Sequence, residues 1–125
     1  NTGFINWTQN INSDLEPVIV ENKIFSISSD GHFFIIEKSS GNIIRITDLF
    51  KNIKSRKIEN ISISGFVVGS KKIYLSLDNG KIFQIDIATG TVSSTFKVTR
   101  SKISKPYINN GKMFVVKNDA IIKLN

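Results

Sequence analysis

His32 is the single histidine of this 125-residue chain, and it follows Gly31 in a turn-rich stretch. Hydrolysis by a serine nucleophile would need that imidazole beside an activated hydroxyl, and the sequence has no Gly-x-Ser-x-Gly elbow to supply one. No Cys, His or acidic cluster at metal-ligand spacing flanks it either, so His32 is expected to be a solvated turn residue. Asp30, Asp78 and Asp119 fall at or beside equivalent turns. A calcium loop needs several oxygen donors within about a dozen residues, whereas each of these turns offers one or two, so the three aspartates are expected to form turns. Glu37 and Asp86 suggest an acid–base couple. Their spacing instead makes them the same position in two copies of a repeat, where each caps the turn before Gly41 or Gly90. No catalytic residue, cofactor-binding residue or metal ligand is assigned.

The remaining chemistry is charge. Lys and Arg number 17 against 10 Asp and Glu, a formal net charge of +7. Four basic residues, Lys51, Lys54, Arg56 and Lys57, crowd one short segment, which is the candidate partner-binding loop for an acidic protein surface or anionic lipid headgroups. Lys23, Lys72 and Lys112 recur in equivalent hairpins. No aromatic-interleaved basic stripe accompanies them, so nucleic acid is not an expected partner. The excess of Ile, Lys and Asn also matches a genome poor in G and C, which explains part of the charge without any ligand.

Composition narrows the class further. There is no cysteine, which excludes a disulfide framework, a zinc ribbon or a thiol nucleophile. Apolar residues at 40% and charged residues at 22% are those of a folded domain rather than a disordered tail. No apolar run approaches the roughly 18–20 residues of a membrane span, so a soluble domain is expected. Residue 1 is Asn, and residues 1–10 lack a signal-peptide pattern, so the chain is expected to be cut or processed from a longer one.

The elements that must position these residues are strands. The chain has 22 Ile and nine Phe but two Ala, side chains that suit a pleated surface better than a helix. Turn pairs punctuate it at short intervals: Asp30-Gly31, Ser40-Gly41, Asn79-Gly80, Thr89-Gly90, Asn110-Gly111 and Asn118-Asp119. Segments 17–41 and 66–90 align without a gap. Lys23 meets Lys72, Phe25 meets Tyr74, Gly31 meets Gly80, Ile36 meets Ile85, Glu37 meets Asp86 and Gly41 meets Gly90. A third copy begins at Pro106, with Lys112 and Phe114 in the same places. The spacing from Lys23 to Lys72 is 49 residues and from Lys72 to Lys112 is 40, so the first full unit carries an insertion, the basic segment. Strands are predicted at 61–68, 73–77, 82–87 and 92–98 in the second unit. A period near 40 with four strands per unit is the signature of a β-propeller blade. The expected organisation is therefore all-β, a partial β-propeller of about three four-stranded antiparallel blades. Residues 1–12 end one blade, 13–60 form a blade with the basic insertion, 61–100 form the next, and 101–125 form an incomplete one.

The segment Asp78-Asn79-Gly80-Lys81-Ile82-Phe83-Gln84-Ile85-Asp86-Ile87-Ala88-Thr89-Gly90 resembles the core motif of the PQQ-like, quinoprotein-type propeller repeat. Thr2-Gly3-Phe4-Ile5-Asn6-Trp7 resembles its closing Thr-Gly-x-x-x-Trp. Gly3, Gly31, Gly41, Gly80 and Gly90, with Trp7 and Asp86, are thus expected to carry the repeat's structure. The docking Trp of that motif is Arg45 and Ser94 in the other copies. Quinoprotein dehydrogenases of this family bind quinone and calcium on the propeller axis. This chain lacks the vicinal Cys pair and the Trp floor of such sites, so no PQQ or other cofactor is expected. Non-enzymatic members of the BamB type are the most similar. That resemblance implies a non-catalytic scaffold for protein–protein interaction in outer-membrane β-barrel assembly, in the periplasm, anchored through a longer parent chain. It also implies association with further blades or with other copies. The alternatives are a fragment of a PQQ-dependent dehydrogenase and the sensor propeller of a signalling protein.

Overall fold

A computed structural model describes residues 3–58 and 60–124, with side chains for all of these except Ser55 and Arg56. The chain forms two compact units, Asn1–Asp48 and Leu49–Asn125. The first holds one antiparallel sheet of β1 (Val18–Val20), β2 (Lys23–Ile27), β3 (His32–Glu37) and β4 (Ile43–Asp48), in the order β1-β2-β3-β4. The second holds a one-turn helix, α1 (Ser55–Ile58), and two sheets. One runs β5 (Ile63–Val68), β6 (Lys72–Leu77), β7 (Lys81–Asp86), β8 (Val92–Lys97) in sequence order. The other consists of β9 (Tyr107–Asn109), β10 (Lys112–Lys117) and β11 (Ala120–Leu124), with β10 central. Among the described residues no helix is long and apolar enough to cross a membrane.

The sequence repeat reappears as a repeat of hydrogen bonds. Lys23 stands opposite Glu37 and Lys72 opposite Asp86 at the same rung of the two four-stranded sheets. The following turns are closed alike: the Gly41 amide donates to the Glu37 carbonyl at 2.8 Å and Gly90 to Asp86 at 2.7 Å. The Glu37 and Asp86 amides in turn donate to the carbonyls of Asn42 and Thr91, at 2.8 and 2.9 Å. Each third strand then breaks register at one place, between Ile35 and Ile36 and between Gln84 and Ile85. These bulges lie at aligned isoleucines and let the fourth strand turn with the sheet's twist.

Burial follows the period of two that a pleated strand imposes. In the first unit Phe25, Ile27, Phe33 and Ile35 share one face through cross-strand pairing and are buried, with the Phe25 and Phe33 rings stacked 6.0 Å apart. In the second unit Ile73, Leu75, Phe83 and Ile85 are buried on one face of the β5–β8 sheet. Its other face carries Tyr74, Ile82 and Phe96, which pack with Ile103, Val98 and the Met113, Val115, Ile122 and Leu124 side chains of the three-stranded sheet. This apolar layer is what holds the two sheets of the second unit together. Each buried side chain is worth about 1.5–3 kcal/mol relative to exposure.

Two segments depart from the sequence reading. Residues 4–17 form no strand, although 1–12 match the fourth strand of a repeat. The Trp7 and Gln9 side chains of this segment are bonded to the Lys38 and Gly41 carbonyls of the β3–β4 turn. The basic insertion, expected as a plain loop, contains the α1 turn, closed by the Lys57 amide on the Lys54 carbonyl at 2.8 Å.

Candidate interaction surfaces

The insertion between β4 and β5 is rooted by apolar side chains. Leu49 and Phe50 are buried, and the Phe50 ring meets Phe83 of β7 edge-on, 6.0 Å between centroids and 81° between planes. The Ile53 amide closes a turn on the Phe50 carbonyl at 2.9 Å. From that anchor Lys51, Lys54 and Lys57 project as exposed side chains. Among the described residues none of these three amines is ion-paired. The side chain of Arg56, fourth of the expected partner-binding cations, lies outside the described residues, as does Glu59. Unpaired cations on a short, anchored segment suit an anionic surface, and their attraction acts over about 8–10 Å at physiological salt.

The recurrent lysines are used differently. Lys72 Nζ lies 3.5 Å from Asp86 Oδ2, so at this position the charge is spent within the sheet. The Ala88 amide, donating to Asp86 Oδ1 at 2.9 Å, is the main reason the Asp86 carboxyl sits below its ordinary pKa, with Lys72 adding to it. Glu37, its counterpart, accepts from the Ser40 hydroxyl at 2.7 Å and the Ser39 hydroxyl at 3.3 Å. The two carboxylates therefore serve separate turns of separate sheets.

Ser28, Asp30 and His32 meet in the β2–β3 turn. The Ser28 hydroxyl donates to Asp30 Oδ1, and His32 Nδ1 stands 3.0 Å from that same oxygen. The Ser28 bond, followed by His32, holds the Asp30 carboxyl below its ordinary pKa. In a nucleophilic triad the imidazole lies between hydroxyl and carboxylate and takes the hydroxyl proton. Here the carboxylate lies between the other two, and the Ser28 hydroxyl also accepts from the His32 amide at 3.1 Å. This is the geometry of a tied turn. Asp78 keeps one buried carboxylate oxygen without a partner among the described residues, and Asp119 is exposed in the β10–β11 turn. Among the described residues no three His, Cys, Asp or Glu side chains are grouped to hold a metal.

The motif glycines all take positive φ: Gly3 79°, Gly31 88°, Gly41 76°, Gly80 83° and Gly90 73°. At Gly41 the reason is contact. The Trp7 ring lies where a Cβ would be, and its Nε1 donates to the Lys38 carbonyl at 2.9 Å. Gln9 adds a bond from Nε2 to the Gly41 carbonyl at 2.7 Å. Trp7 thus clamps the segment before β1 onto the β3–β4 turn.

A further surface goes beyond the sequence reading. One face of the β9–β11 sheet bears an open concavity of about 450 Å³ lined by Tyr107, Asn109, Lys112, Phe114, Val116 and Ile121, among others. The Lys105 amine lies 5.6 Å over the Tyr107 ring. The sequence signal for it is alternation, since Lys112, Phe114 and Val116 fall on one side of β10 while Met113 and Val115 fall on the other.

Antiparallel sheets repeated along the chain, equivalent bulges and turns in the two four-stranded ones, and, within the second unit, a face that packs on the next sheet define blades of a β-propeller. Among solved structures the chain is similar to BamB from Moraxella catarrhalis, with a TM-score of 0.75 and 12% identity over 98% of this chain and 34% of that one. It is similar also to the computationally designed Ika8 protein, with a TM-score of 0.63 and 15% identity over 86% of this chain and 31% of the other. Saccharomyces cerevisiae Sqt1 gives 0.62 and 18% over 75% and 25%. The chain spans about a third or less of these structures, and at such identities the likeness establishes the fold. No protein-family model matches the chain, and no curated protein matches it in sequence. The PQQ-like repeat type therefore rests on the motif residues.

Proposed function

We propose that this chain is a non-catalytic β-propeller scaffold whose basic β4–β5 insertion docks an acidic surface of a protein partner, in a BamB-like role in outer-membrane β-barrel assembly within the periplasm. The observation that carries the reading is the insertion itself: three exposed lysines, without ion pairs among the described residues, on a segment fixed to the blade core by Phe50. Loops projecting from a rigid scaffold are where binding residues concentrate. The structural likeness to BamB supports the choice of partner class. The turn-tying geometry of Ser28, Asp30 and His32 supports a role without chemistry at that cluster.

The test is charge reversal. Lys54→Glu with Arg56→Glu and Lys57→Glu should lower co-purification of the outer-membrane assembly machinery at least tenfold at low salt, while thermal stability changes little. Unchanged co-purification would reduce the insertion to a connector. Dye-linked oxidation of an alcohol or aldose after addition of PQQ and calcium would overturn the non-catalytic reading.

A further inference from the structure

Within the second unit the basic insertion ends beside a second basic segment, the β8–β9 connector. The β6–β7 turn, Asp78-Asn79-Gly80, is bonded to both. On one side the Asp78 amide donates to the Ser62 carbonyl at 2.9 Å, where the insertion enters β5. On the other the Val98 amide donates to the Gly80 carbonyl at 2.9 Å, and the Thr99 and Ser101 carbonyls crowd the point a Gly80 Cβ would occupy. The connector that leaves β8 therefore lies on this turn, and it carries Arg100 and Lys102, both exposed.

The end of the sheet between these two segments is basic as well. Lys81 stands directly opposite Lys97 in the β7–β8 ladder, and both are exposed. Like charges facing each other across a ladder destabilise a sheet. The aligned rung of the first sheet pairs His32 with Asp48, and the rung at the other end of this sheet pairs Lys72 with Asp86. The β5–β8 sheet thus has matched charges at one end and a like pair at the other.

The like-charge rung also shares a face with the insertion's root. Strand alternation puts Lys81 on the same face as Phe83, two residues on, and the Phe50 ring of the insertion packs on Phe83. Insertion, rung and connector together bring Lys54, Lys57, Lys81, Lys97, Arg100 and Lys102 to one end of one sheet, all exposed. None of the six is ion-paired among the described residues. Asp78 is the one carboxylate described on these segments, and one of its oxygens is buried.

We infer that this end of the β5–β8 sheet is a single docking face for an acidic protein segment, which lies across the β6–β7 turn and touches the insertion and the β8–β9 connector at once. The face includes the insertion, so it rests on the reading that the insertion binds an acidic protein partner. An external anion compensates the Lys81–Lys97 rung, which nothing described in the chain does. A protein segment suits the face better than a bilayer. The connector's apolar side chains turn inward, with Ile103 1% exposed and Val98 packed in the same cluster, so no apolar wedge stands among its cations to enter a membrane.

The probe is a fluorescently labelled decaglutamate peptide, titrated against the 125-residue chain at low salt and followed by anisotropy. Arg100→Glu with Lys102→Glu should weaken binding at least tenfold, as should Lys54→Glu with Lys57→Glu. Lys71→Glu with Lys112→Glu, of matched charge beside the β5–β6 and β9–β10 turns, should weaken it less than twofold. Lys97→Glu should weaken binding at least fivefold and yet raise the thermal midpoint by about 1–2 °C, because the rung becomes complementary. Loss confined to the insertion pair overturns the two-segment face and leaves the insertion reading standing. Equal losses in all three double variants mean attraction by net charge alone and overturn both. A lower midpoint in Lys97→Glu shows the rung compensated within the chain and overturns its part in the face. Binding to phosphatidylglycerol vesicles with none to the peptide puts a membrane in place of the protein partner and overturns the proposal.

Discussion

At the residue scale, Trp7 and Gly41 do the work that the repeat motif distributes over several copies. Trp7 has Arg45 and Ser94 as its counterparts, so an indole occupies this position at one turn alone. The indole needs a residue without Cβ beneath it, and the turn needs φ of +76°. Either requirement selects glycine, and together they make the position intolerant. Gly111 has φ of +73° with nothing within 4 Å of the point a Cβ would occupy, so it isolates the backbone part. Gly111→Ala is expected to destabilise by about 1 kcal/mol, the left-handed penalty alone. Gly41→Ala adds displacement of the indole and its bond to Lys38, for a total of about 3 kcal/mol. Urea unfolding monitored by Trp fluorescence measures both. Equal losses would show that Trp7 does not clamp the turn. The Lys72–Asp86 pair, by contrast, is partly solvated and belongs with surface ion pairs of small worth.

At the element scale, the blade strands are legible in the sequence because three independent signals agree: alternation of Ile and Phe, turn pairs at fixed offsets, and alignment of whole copies. The predicted bounds of 73–77 and 82–87 correspond to Lys72–Leu77 and Lys81–Asp86 in the structure. The segment from Phe4 to Trp7 has the sequence of a strand and forms none; what sequence alone did not show is that Trp7 bonds to the β3–β4 turn. The insertion is legible as an insertion and as a basic cluster, yet its anchor is not. Phe50 gives no periodic signal, and its partner Phe83 lies in another strand. That anchor separates stability from binding. Phe50→Ala is expected to destabilise by about 3–5 kcal/mol, as truncation of a buried aromatic does. Lys54→Glu with Lys57→Glu should shift stability by no more than about 0.5 kcal/mol. Calorimetry on both variants tests this. A charge reversal that unfolds the second unit would mean the lysines hold structure rather than a partner.

At the scale of the whole molecule, the net charge of +7 and the repeat lead to different expectations, and the repeat is the more consequential. Within each four-stranded blade the middle strands are bonded on both sides and carry most of the buried side chains, while among the described residues the third blade ends in a strand bonded on one side. Amide exchange should resolve this, because protection tracks the free energy of opening each local unit. Amides of β6 and β7, flanked on both sides and holding Ile73, Leu75, Phe83 and Ile85, are expected to exchange slowest. Those of β1 and β9, each a three-residue strand at a sheet edge, should exchange fastest among the strands. Equal protection in β1, β6 and β7 would instead show that the first sheet opens only together with the second, against two separately opening units.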